Sequence, residues 1–171
     1  MNRIQQAIVW LSRINHCRGF GIQSPTDYRF VRSVINEHWP YYQYDELGQD
    51  DDWLTQKLGR LYLRLANWRQ PATIVSQTAH DYLHAGCRKA TITADAVQAD
   101  LIVAKPEAST EALFGKLNEQ SVLVAERIWQ HPQWWRQLME RQQSRVTFDL
   151  YYCGIILFDS QRAKQHYVIN F

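Results

Sequence analysis

The chain has 171 residues, a formal charge of +2, 46% hydrophobic residues and 21% charged ones. That size suits one domain with a buried core, and that balance is expected of a soluble globular protein rather than a disordered chain. The small charge gives no warrant for a polyanionic partner, so nucleic-acid binding is not expected, although arginines stand beside aromatics at Arg29-Phe30, Trp68-Arg69 and Trp135-Arg136.

Taken in order, the chain opens with Ile4, Ile8 and Leu11 at helical spacing. Gln5, Gln6 and Ser12 interrupt the apolar run, which makes it a poor signal peptide. No run approaches the ~20 apolar residues of a membrane span. The stripe is expected to pack an amphipathic helix onto the domain. Gly19-Phe20-Gly21 breaks the chain, and Ser24-Pro25-Thr26-Asp27 then reads as a helix start, with Ser24 capping and Asp27 completing a capping box. Tyr28, Val31 and Ile35 continue that helix until Trp39-Pro40. A polar connection from Tyr41 ends in Asp50-Asp51-Asp52, carboxylates that either cap the next helix or bind a cation. That helix carries Leu54, Leu58, Leu61, Leu65 and Trp68 and stops before Pro71. Residues 1–70 therefore read as a helical cap without strands.

From Pro71 to the last residue, apolar runs alternate with helical stretches, as in a βαβ sheet. Strands are predicted at Thr73–Val75, Ala90–Thr93, Leu101–Ala104, Val122–Ala125, Val146–Leu150, Gly154–Phe158 and Tyr167–Phe171. Helices are predicted at Ala79–His84, Thr110–Leu117 and Gln133–Gln142. The last three strands have no helix between them, so an antiparallel edge is expected. The α/β part (71–171) and the cap are expected to form one compact unit. Cys17, Cys87 and Cys153 form no CxxC pair, and such cysteine usage suits a reducing cytoplasm.

Two segments carry a family resemblance. Val146 to Phe171 (VTFDLYYCGIILFDSQRAKQHYVINF) resembles the end of a bacterial class I S-adenosylmethionine-dependent methyltransferase family. Arg18 to Val31 (RGFGIQSPTDYRFV), followed by Pro40-Tyr41-Tyr42, resembles its beginning, with Gln23 where that family usually has His. The resemblance implies a Rossmann-like class I methyltransferase-type sheet, parallel and closed by an antiparallel C-terminal hairpin, beneath an N-terminal helical cap. Where the family has a Glu-Leu-Gly-Thr-x-x-Gly type loop for the cofactor, this chain has Ser76-Gln77-Thr78-Ala79-His80 without a glycine. A backbone that turns sharply toward a ligand needs glycine's freedom, so this turn is expected to be packed shut. Only Ala96 to Ala99 separate Thr93-Ala94-Asp95 from Asp100-Leu101. A crossover takes a dozen or more residues, so the family's third strand and at least one helix are expected to be missing.

Few candidate site residues remain. Asp95, after the second strand, either accepts hydrogen bonds from a ribose or bonds its own backbone as a turn residue. Gln77 and Glu126 are the other cofactor contacts, should a cofactor be bound. The family's metal-binding oxygens are replaced by Ala104-Lys105-Pro106-Glu107 and Glu126-Arg127, whose cations argue against a metal. No catalytic residue is assigned. His80 and His84 share a helix face without a third ligand. Trp129, Trp134 and Trp135 either line a pocket or pack a helix on the sheet.

The expected function is thus that of a degenerate methyltransferase-like protein, without catalysis and with no cofactor, kept as a scaffold or partner-binding protein. The alternative is an active enzyme that uses S-adenosylmethionine to methylate a small molecule. Phe20, Trp39, Tyr41, Tyr42 and Tyr44 either form an interface, most simply a homodimer through the cap, or seal the cap onto the sheet.

Overall fold

The computed structural model describes residues 3–171. Helix α1 (Arg3–Ser12) is followed by α2 (Pro25–Phe30), which continues into a π-helical turn, Val31–Ile35. A short α3 (Gln43–Glu46) and the long α4 (Trp53–Arg69) complete the cap. Strand β1 (Thr73–Val75) then leads to α5 (His80–Gly86), β2 (Thr91–Thr93), β3 (Leu101–Ala104) and α6 (Thr110–Phe114). Next come β4 (Val122–Glu126), α7 (Pro132–Glu140), β5 (Val146–Asp149), β6 (Cys153–Leu157) and β7 (Gln165–Val168).

One seven-stranded sheet results, in the order β2-β1-β3-β4-β6-β5-β7. It is mostly parallel and mixed, compatible with a Rossmann-like α/β fold. Strand β6 lies antiparallel to both β4 and β5, so the expected antiparallel hairpin is present. The edge itself differs from expectation, because β7 pairs with β5 in parallel. The chain passes from β6 over β5 before returning, and that crossing restores the common direction.

The apolar strands are buried on both faces, as parallel strands sandwiched by helices must be. One face carries Ile74, Leu101, Val103, Val124, Phe148 and Ile155, and packs on α2, α4 and Leu83 of α5. The other carries Val75, Ile102, Ala104, Leu123, Ala125 and Ile156, and packs on Leu113 of α6 and on Trp135 and Leu138 of α7. The cap thus lies along one face of the sheet. Asp52 caps α4, its Oδ1 accepting from the amides of Leu54 (2.7 Å) and Thr55 (3.0 Å). Ser24 likewise accepts from the Asp27 amide.

Three expectations need correction. Asp27 does not complete a capping box: its buried carboxylate pairs with Arg162 and accepts from the Tyr167 hydroxyl at 3.1 Å. The stripe of α1 does not pack on the domain, for Ile4, Ile8 and Leu11 are exposed and no α1 residue is fully buried. Half-buried Val9 packs against the core instead, and polar contacts beyond the sheet edge tie the helix as well. Asn170 Nδ2 donates to the Trp10 carbonyl, and Arg13 pairs with Asp149 at 2.7 Å. Finally, β2 and β3 both run parallel to β1, although only residues 94–100 connect them. Strands of three and four residues need a return of only ~10 Å and a sideways step of two strand spacings, again ~10 Å. Seven residues span up to ~25 Å, so a loop does what a helix does in longer units. Its Ala96 and Ala99 lie in the apolar layer that α6 and α7 share.

Candidate functional site

Open α/β sheets bind ligands at the carboxyl ends of their strands, so those ends come first. Beyond β1, Ser76 is buried, and its Oγ donates to the Thr78 carbonyl (2.7 Å) and accepts from the Thr78 amide (3.1 Å). The turn therefore closes on itself. Ala79, its last residue, has φ 55°, in the left-handed region that glycine adopts without strain. The backbone makes the sharp turn here even without glycine. Gln77 is exposed.

Asp95 does what a turn residue does. Its Oδ1 accepts from the Ala96 amide (2.9 Å), and the Thr93 hydroxyl donates to its carbonyl (2.9 Å). The carboxylate also pairs with Lys116, and that bond holds it below the usual carboxylate range. Asp95 is exposed.

Glu126 is buried at the end of β4, where Tyr62 of α4 donates to its Oε1 at 2.7 Å. Burial, then the neighbouring Glu126, pushes the Tyr62 hydroxyl well above its ordinary pKa. Cys153, opposite Glu126 across the β4–β6 ladder, is raised by burial and by the same carboxyl group. A thiol so raised stays protonated and is a poor nucleophile. Gln77 and Asp95 lie in exposed turns after the neighbouring strands β1 and β2, and Glu126 is buried at the end of β4 against Tyr62 of α4. Among the described residues, no three His, Cys, Asp or Glu side chains gather as metal ligands.

The aromatic candidates divide. Phe20 (82%), Trp39 (74%) and Tyr42 (90%) are largely exposed, so sealing the cap is not their role. Tyr41 and Tyr44 are half-buried with ring centroids 5.2 Å apart, and their contacts are to Glu37, Arg60 and Arg64 within the cap. Of the tryptophans, Trp135 packs α7 on the sheet against Gly154, Trp134 is partly buried in the same layer, and Trp129 meets Tyr151 and Tyr152.

One constellation was not expected from the sequence. Trp53, Lys57, Arg60 and Arg64 recur along one side of α4 at steps of four, three and four, beside the apolar stripe. They line a cleft of about 460 Å³ closed by residues 35–41, Tyr44 and Phe171. The signal was legible as a basic stripe at helical spacing. No helix among the described residues is long and apolar enough to cross a membrane. Compared with family models, curated proteins and solved structures, the chain shows no match.

Proposed function

We propose that this protein is a methyltransferase-like α/β domain, short of one strand, that has given up S-adenosylmethionine and serves as a binding protein. The observation that carries this reading is the closed β1–α5 turn, in which Ser76 bonds Thr78 rather than presenting amides to a ligand. Asp95, held by Lys116 and its own backbone, supports it. The sheet closed by the β5–β6 hairpin is the layout that the family resemblance implies, and the bare loop 94–100 fits a missing strand and helix. Three free cysteines fit a cytoplasmic setting.

The binding surface of this reading is the cap, where Phe20, Trp39 and Tyr42 stand exposed. Aromatic anchors carry much of the energy of protein interfaces, and a homodimer is the simplest use of them. Calorimetry with S-adenosylmethionine and S-adenosylhomocysteine tests the loss of the cofactor. The expected result is no binding at tens of micromolar. Micromolar binding abolished by Asp95→Ala would establish the alternative, an active enzyme. Light scattering tests the interface: a dimer that Trp39→Ser with Tyr42→Ser converts to a monomer is expected, and a monomeric wild type overturns that part.

A further inference from the structure

We infer that the cleft between α4, residues 35–41 and Phe171 is a binding site for a small aromatic anion. At about 460 Å³ it falls within the range of small-ligand pockets, and such pockets pair apolar walls with a few convergent polar groups.

The charge is supplied by α4. The Lys57 ammonium sits over the rings of Phe171 (4.2 Å) and Trp53 (5.4 Å), and it donates to no oxygen of the described residues. Arg60 lies over the Tyr44 ring at 4.9 Å and is paired with no carboxylate. Arg64, buried behind them, spends its donors on the carbonyls of Val34 (2.6 Å) and Ile35 (3.0 Å) and on the Tyr44 hydroxyl (3.0 Å). It adds positive potential while its position is fixed.

Two acidic residues share the cleft, and neither forms an ion pair with Lys57, Arg60 or Arg64. Glu37 accepts from the Tyr41 hydroxyl at 2.8 Å, and Asp45 is exposed. A half-buried ammonium without an anion is costly, and the ordinary remedy in proteins is a paired charge. Burial, then Arg64, lowers the Lys57 pKa to about 8. An arriving anion would reverse both effects by compensating the charge in a partly desolvated place.

The preference for a ring comes from the walls. Trp53, Phe171, Tyr41 and the exposed Trp39 line the cleft, with Lys57 over the rings of the first two. Aromatic rings stack on such faces, and a ring bearing its charge at one end would set that end on Lys57 and Arg60. The cleft shares no lining residue with Gln77 or Asp95, so the inference stands apart from the loss of S-adenosylmethionine.

The test is calorimetry of the full chain with phenyl phosphate and benzoate, beside inorganic phosphate and benzyl alcohol. At least one aromatic anion is expected to bind at a single site with a Kd below ~1 mM. Inorganic phosphate is expected to bind at least about tenfold more weakly and benzyl alcohol not measurably. Lys57→Met and Arg60→Gln, each confirmed as folded by circular dichroism, should weaken the aromatic anion about tenfold or more. Arg60→Gln decides alone should Lys57→Met not fold. The inference is overturned when neither aromatic anion binds the wild type, when phosphate binds as tightly, or when folded variants keep full affinity. The titration with S-adenosylmethionine reports separately on the proposed function.

Discussion

Lys57 is the residue whose protonation bears most directly on stability. Its pKa, lowered to about 8 by burial and by Arg64, means that the folded protein releases this proton before the unfolded chain does. Stability rises with pH wherever the unfolded state holds more protons, so Lys57 adds a rising limb from about pH 8 to 10. Tyr41, Tyr82 and Tyr152 act oppositely, burial being the largest cause that pushes each to about 12. Their folded forms keep protons that the unfolded chain loses near pH 10, so their contribution is lost between about pH 10 and 12. Urea midpoints should therefore pass through a maximum near pH 10. Lys57→Met should remove the rising limb and stabilise the protein at pH 7 by ~1–2 kcal/mol, allowing for the partial exposure of the ammonium. A lower midpoint at pH 7 would contradict this. Asp95 was readable as a turn residue because its contacts to Thr93 and Ala96 are local. The cleft was not, since it needs residues 35–41 and Phe171 brought to α4 by the fold.

At the scale of elements, the interior strands were legible and the peripheral ones less so. Strands β1 and β3 begin and end where their apolar runs do, because both faces of those runs are buried. Strand β7 starts two residues earlier than its sequence predicts, at exposed Gln165 and His166, since pairing with β5 rather than burial sets its register. The α1 stripe has a helical period, but periodicity does not say what lies beneath it. Strand β6 allows a sharper test. A Cβ at Gly154 would overlap the Trp135 ring, which is buried between α7 and the sheet. Overfilling a packed core forces neighbours off their rotamers, so Gly154→Ala should cost ~2–3 kcal/mol. The double variant Gly154→Ala with Trp135→Leu should recover part of that loss, and additive losses in denaturation midpoints would show that the two do not touch.

At the scale of the whole molecule, the N-terminal cap and the last strands meet. Asp27 pairs with Arg162 across 135 positions, and Arg13 pairs with Asp149 across 136. Asn170 reaches back to the Trp10 carbonyl, and Cys17 bridges to it beyond the sheet edge. Sequence order could not show this, because partners so distant are set by the path of the chain between them. The Asp27–Arg162 tie also has a temporal consequence. Closing so long a loop is entropically unfavourable until the strands between have ordered, so this contact should form after the rate-limiting barrier. Breaking it then belongs to the unfolding arm of a chevron plot. Asp27→Asn, expected to cost ~2 kcal/mol by leaving Arg162 without its charge partner, should speed unfolding roughly 30-fold and leave the refolding rate in water unchanged. A slowed refolding arm in stopped-flow fluorescence would place the tie early. With late closure, the pair sets how long the folded molecule lasts, while how fast it forms is decided within the sheet.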